Sequence, residues 1–286
     1  MKVVLLGATG QLGQAFTNHP DFANFNTLCL THSELDICDA DAVSVCFANV
    51  KPDVVINCAA YTAVDAAEQN KQLCLAINTD AVSHIAKLCQ QYGTLLIQFS
   101  TDYVFDGKKA SPYTERDTPN PINHYGKSKW LAEHQIQQLC EKYLILRTSW
   151  LFSEYGQNFY RTMLKLAQTG QVIRVIANQI GCPTYAGDVA TAVINTIKLY
   201  QRDHSLPYGV YHLTGASAMS WYGFAQAIFA AKQIDVALWQ ISTAEWVAAA
   251  LRPANSILDS QKIQAAMGVV LPDWHNALAK LAREYT

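Results

Sequence analysis

Hydrophobic positions along the first half of the chain fall into a repeating alternation. Short, near-continuous apolar runs occupy Lys2–Leu6, Thr27–Leu30, Asp53–Cys58, Thr94–Phe99 and Tyr143–Arg147, with a further run at Val172–Ile176. Runs of this kind suit parallel strands covered on both faces. Between them the spacing turns helical, over Gln11–Asn18, Asp39–Ala48, Lys71–Gln91 and His124–Cys140. Strand–helix alternation predicts an α/β fold, a Rossmann-type doubly wound parallel sheet with right-handed crossovers. After about residue 150 the rhythm changes. Helical patterns at Asn158–Thr169, Gly187–Tyr200, Ser220–Ala231, Thr243–Leu251 and Trp274–Glu284 are interrupted by short strands near Val172 and Tyr211. The expected organisation is a dinucleotide-binding domain over 1–150 and a smaller α/β substrate domain over 151–286, interleaved with the first.

Composition narrows the class. The 286 residues are 50% hydrophobic and 15% charged, with 21 basic and 23 acidic side chains giving a net charge of −2. Basic residues do not cluster, so no nucleic-acid partner is expected. No apolar run reaches the length of a membrane span, and Met1–Gly7 meets a glycine turn too soon for a signal-peptide core. Eight scattered cysteines without a C-x-x-C pair read as structural thiols in a reducing, cytoplasmic setting. The eight histidines form no metal-binding spacing, so no metal site is expected.

Two motifs carry chemistry. The first apolar run ends in Gly7-Ala8-Thr9-Gly10-Gln11-Leu12-Gly13, a G-x-x-G-x-x-G turn that opens a helix. Glycine permits the tight turn and close backbone approach to a pyrophosphate, which the helix N-terminus favours. The acid that holds an adenosine ribose belongs about 20 residues further on, at the end of the second strand. There the chain has Thr31-His32, with Glu34 and Asp36 slightly later. The missing acid leaves room for a 2′-phosphate, so NADPH and NADH both stay open with a lean to NADPH.

The second motif is Tyr125-Gly126-Lys127-Ser128-Lys129. Residues four apart share a helix face, so Tyr125 and Lys129 can line a cleft. A phenol close to an ammonium can donate a proton to a carbonyl oxygen. Ser100 and Thr101 close an apolar strand, where ligands of open parallel sheets bind, and a hydroxyl there can meet both carbonyl and phenol. The small residues after Asn57, including Ala59 and Ala60, leave room for a cofactor across the sheet edge. His124, beside the tyrosine, reads as a loop residue rather than a catalyst.

Together, these segments resemble the extended short-chain dehydrogenase/reductases and, within them, the dTDP-4-dehydrorhamnose reductase family. The resemblance rests on GATGQLG at 7–13, LDICD at 35–39, PDVVINCAAYTAVDAAE at 52–68, AINTDAV at 76–82, STDYVFDG at 100–107, YGKSKWLAE at 125–133, LRTSWLF at 146–152, NQIGCPT at 178–184, RPANSILD at 252–259 and LPDW at 271–274. It implies NAD(P)H-dependent reduction of the C4 ketone of dTDP-4-dehydro-β-L-rhamnose. Tyr125 would be the proton donor, Lys129 would hold the nicotinamide ribose and acidify the phenol, and Thr101 would position the ketone. Gly10, Gln11 and Leu12 would meet the pyrophosphate, with Gly7, Thr9 and Gly13 also binding the cofactor, and Asp36 and Ile37 would meet the adenine. Ala59, Ala60, Tyr61, Thr62 and Ser100 would border the cofactor. Asp102, Trp150 and Arg252 would contact the nucleotide sugar, although Arg252 also fits a plain ion pair. Alternatives within the superfamily are another nucleotide-sugar reductase, a 4-epimerase, or a non-catalytic protein like the regulatory subunit of methionine adenosyltransferase. Some relatives dimerise around magnesium. Two of the ligand positions are Ala15 and Gly187 here, leaving only Glu284, so a monomer is expected.

Overall fold

The computed structural model describes residues 1–284, with the side chain of Glu284 outside the described part. Six parallel strands form the central sheet: β1 (Lys2–Leu6), β2 (Asn26–Leu30), β3 (Val54–Asn57), β4 (Leu95–Thr101), β5 (Tyr143–Thr148) and, after a long excursion, a sixth at Gly209–His212. Their spatial order is β2-β1-β3-β4-β5 followed by Gly209–His212. The chain leaves β1 for β2 at one edge and returns to β3 on the other side of β1. That reversal opens a crevice at the carboxyl ends of β1 and β3, where ligands of such sheets bind.

Strand period dictates the two cores. Val3, Leu5, Ile56, Ile97 and Leu146 face one way, against α1 (Gln11–Thr17) and the long helix Ala186–Asp203. Val4, Leu6, Val55, Leu96 and Ile145 face the other way, against α2 (Ala40–Val50), α3 (Ala81–Tyr92) and α4 (His124–Leu139). Both faces are dry, which is why the strands read as continuous apolar runs.

The later half divides its elements. Helix Ala186–Asp203 and strand Gly209–His212 complete the central sheet and its cover. Phe152, Tyr160, Phe224 and Trp274 build a separate aromatic core. Strand Ile173–Ile176, expected from its sequence alongside the main-sheet runs, instead pairs in parallel with Leu238–Ile241. The expected helix over Thr243–Leu251 is a single 3₁₀ turn at Thr243–Glu245, and an unpredicted helix occupies Gln261–Met267. The expected long helix over Lys71–Gln91 is present as a continuous helical run to Tyr92, with a π segment at Ala76–Asp80 within it. Among the described residues no helix is long and apolar enough to cross a membrane.

Candidate active site

The turn after β1 is built from backbone. Gly7 sits at φ +78°, a left-handed conformation, and its N–H and that of Ala8 donate to Leu30 O at the end of β2. A Cβ on Gly7 would stand 2.7 Å from Ala59 N, so the turn and the end of β3 touch main chain to main chain. Gly10 caps α1. Leu12 packs its side chain into the core, which leaves only backbone for a ligand.

A cavity of about 300 Å³ opens beside the turn, lined by Gly7, Thr9, Gly10, His32, Leu35, Asp36, Ile37, Cys58, Ala59, Ala60 and Ile77. Gly7, Thr9 and Gly10 of the turn thus share one cavity with Asp36 and Ile37, while Gln11, Leu12 and Gly13 do not line it. Glu34 is spent on the Thr31 N–H and hydroxyl. Asp36 accepts from Cys38 N and stands 3.8 Å from His32. Gln11 Oε1, in the first turn of α1, is buried with no hydrogen-bond partner among the described residues. An open backbone cradle with an orphaned polar atom fits a dinucleotide.

The tyrosine–lysine helix is set by local sequence. Asn123 caps α4 by accepting from Gly126 N at 2.7 Å, while its amide donates to Leu251 O. Gly126 lies directly under Tyr103 O, with no room for a Cβ. This contact seats α4 against the segment that follows β4. Thr101, the last residue of β4, is buried and donates to Asp102 Oδ1 at 3.0 Å. Its hydroxyl also lies against the Tyr125 phenol. Burial, with the Asp102 carboxyl adding to it, holds the phenol above its ordinary value despite that hydroxyl. Lys129 is not among the groups that shift it. The acidification implied for this pair is therefore not seen, and desolvation keeps the phenol protonated.

Lys129 is 4% exposed. Burial lowers its ammonium to about 8, opposed by Glu133. The protein's influences on it are desolvation and Coulombic effects, with no hydrogen bond among them. A buried donor of this kind suits the hydroxyls of a ribose. Asp102 is buried and pushed up to about 7, with the Ser256 and Thr101 hydroxyls opposing the shift. Its Oδ2 has no hydrogen-bond partner among the described residues.

Other predicted residues take more particular places. Ser100 spends its hydroxyl on Glu133 Oε1, so its side chain is committed inside the protein. Tyr61 is gripped through its backbone by Asn78, whose amide also donates to Ser128 of α4. Thr62 is exposed. Asn78 and Thr79 lie in the π segment, which ties the loop after β3 to α4. Such segments recur at functional sites, but nothing in the local spacing pointed to this one. Trp150, at φ +46°, is buried and stacks on Trp221 with centroids 3.5 Å apart. Arg252 forms a two-pronged ion pair with Asp65, at 2.6 and 3.1 Å, and lies against Tyr103. The ion-pair alternative is therefore present, and a diphosphate would have to share this guanidinium. His124 opens α4 and places its ring against Lys71 O.

Ala15 and Gly187 flank a cavity of about 550 Å³ whose carboxylates are Glu154 and Asp188. Glu154 accepts from the Tyr185 hydroxyl. Among the described residues no three His, Cys, Asp or Glu side chains converge, and Ala15 and Gly187 offer no side-chain oxygen at their positions. The remaining position, Glu284, lies outside the described side chains.

Comparison with known proteins agrees with this geometry. The profile of the RmlD substrate binding domain family matches residues 1–286. The chain is 42% identical to a dTDP-4-dehydrorhamnose reductase of Aggregatibacter actinomycetemcomitans, over 98% of both chains. It is 37% identical to one from Burkholderia thailandensis over 99% of each. A crystal structure of dTDP-4-dehydrorhamnose reductase from Bacillus anthracis in complex with NADP superposes with a TM-score of 0.92, at 35% identity, covering 99% of each chain. The chain belongs to the RmlD substrate binding domain family.

Proposed function

We propose that this protein reduces the C4 ketone of dTDP-4-dehydro-β-L-rhamnose to dTDP-L-rhamnose with NADPH or NADH, as a cytoplasmic monomer. One observation supports the reading: the Thr101 hydroxyl at the end of β4 lies against the Tyr125 phenol, and Lys129, one turn further along α4, interacts with Cys58, which lines the cavity beside the glycine turn. The relatives' names and the NADP held by the Bacillus anthracis enzyme support the substrate and cofactor.

When bound, the reduced nicotinamide is the source of hydride for the carbonyl carbon. The chain's own side chains do the rest. Gly7–Gly13, Asp36, Ile37 and the loop at Ala59–Thr62 hold the dinucleotide, and Lys129 takes a ribose hydroxyl. The Thr101 hydroxyl orients the ketone oxygen next to the phenol. Tyr125 gives that oxygen its proton, which it retains at neutral pH because burial disfavours phenolate. Trp150 and Asp102 border the sugar.

A coupled assay tests the proposal. dTDP-glucose is converted by the upstream dehydratase and epimerase, and loss of NADPH or NADH absorbance is followed separately. Stoichiometric oxidation with formation of dTDP-rhamnose is expected; tight cofactor retention without net turnover would point to an epimerase. Sedimentation with and without magnesium tests the monomer, which a metal-dependent dimer would overturn.

A further inference from the structure

A buried charged cluster sits behind the candidate pair. Glu133 is 1% exposed and lies one helical turn beyond Lys129 and two beyond Tyr125. Both of its carboxylate oxygens are used. Oε1 accepts from Ser100 at 2.5 Å and from Arg147 Nε at 2.9 Å, and Oε2 accepts from Arg147 NH2 at 2.6 Å. Arg147 lies across from Ser100 in the β4–β5 register and from His212 in the next strand. Its third nitrogen faces His212 Nε2 at 3.4 Å, and its guanidinium stacks over Phe105. Burial and Arg147 lower His212 to about 3, so the ring is neutral. It can accept from Arg147 and donate from Nδ1 to Tyr113 O, 3.1 Å away.

A buried ion pair of this kind is a weak argument for stability, because apolar replacements often serve as well. Its placement carries more meaning. Glu133 grips Ser100, the residue before Thr101, from the helix face that carries Tyr125 and Lys129. We infer that Glu133 is a positioning residue for the Tyr125–Lys129 pair: through Ser100 and Arg147 its carboxylate fixes the rotation of α4 against the ends of β4 and β5, and it keeps a negative charge one turn from the Lys129 ammonium. The other titratable groups facing Lys129 are Cys58 at the end of β3 and Cys74 in the helix Lys71–Leu75. Both thiols are pushed up by burial and carry no charge near neutral pH. Among the described groups, Glu133 opposes the lowering of Lys129 most strongly.

The inference rests on reading Tyr125 and Lys129 as the reductase pair, so its test has a readout independent of turnover. NADPH binding is measured by fluorescence titration from pH 6 to 9 for the wild type, E133Q, E133D and S100A, alongside steady-state kinetics. Loss of the carboxylate lowers the Lys129 pKa further. E133Q is expected to weaken NADPH binding about tenfold near pH 8, the effect of roughly one pKa unit, with recovery towards pH 6. E133D restores the charge but not the reach, so its pH limb returns while kcat stays low. S100A lowers kcat several-fold with the pH limb unmoved. A wild type that binds NADPH without reducing the 4-keto sugar would remove the functional reading, while the binding limb still scores Glu133. A variant-to-wild-type affinity ratio that stays constant across pH would overturn the inference and leave Glu133 a packing residue. Should E133Q fold poorly because Arg147 is left unpaired, E133Q/R147M removes both charges and carries the same readout.

Discussion

The two ends of the site are made of different material. The turn at Gly7–Gly13 is backbone, shaped by absent side chains and open to a cavity of about 300 Å³. The Tyr125–Lys129 end is side chain, with its lysine, Thr101 and Asp102 buried. The first end can bind but has no group to react. The second has reacting groups whose protonation depends on desolvation. Damage at the two ends should therefore separate: shape changes at the turn move affinity, and atom changes on the helix move rate.

Tyr125→Phe is the sharpest test of that division. Removing one oxygen deletes the proton donor, and kcat should fall about 100- to 10,000-fold with cofactor affinity nearly unchanged. Fluorescence titration beside stopped-flow reduction reads both; parallel loss of binding would merge the two ends. Gly7→Ala is the converse. A side chain at φ +78°, against Ala59 N, costs on the order of 1–3 kcal/mol, so cofactor binding should weaken roughly 10- to 100-fold. At saturating cofactor kcat should recover; failure to recover would mean that the turn also shapes the reacting end.

Lys129→Met crosses the boundary, since the amine belongs to the helix yet serves the cofactor. Its main effect should be a higher cofactor KM, about tenfold for one charged hydrogen bond, with a smaller fall in kcat. In the wild type the sign follows from the lowered ammonium at about 8: kcat/KM for the cofactor is full below that pH and declines as pH rises through it. The decline should vanish in the variant, and a profile identical to wild type would free Lys129 of its role.

The contrast also explains what could be read from sequence. Gly7, Gly10 and Gly13 announce the turn because only glycine serves there, and Tyr125 and Lys129 announce the helix by their spacing. Their supports were less legible. Glu133 continues the same i, i+4 series and could have been found from it, but its partners Ser100 and Arg147, and His212 beside Arg147, meet only once three strands align. Asn78 depends on a π segment that no periodicity marks. Thr243–Leu251 has helical composition, yet Asp65 receives Ala250 N and Asn123 donates to Leu251 O, so tertiary hydrogen bonds draw the segment out. Ile173–Ile176 has the composition of a central strand, and sequence does not say which edge it joins.

The smallest effect concerns Asp102, buried at the reacting end with a carboxyl raised to about 7 from 3.8. Since the folded state holds the proton more tightly than the unfolded chain, this residue costs nothing below about pH 4, where both states are protonated. Through the window from 4 to 7 the unfolded chain is ionised first and folding loses stability, with the full cost present above 7. Asp102→Asn has no such proton. Its melting temperature should match wild type near pH 4 and exceed it by several degrees at pH 8, at roughly 2–4 °C per kcal/mol for a chain of this size. A difference that does not change with pH would mean that the carboxyl is solvated in the folded protein, and the dry character assigned to this end of the site would have to be given up.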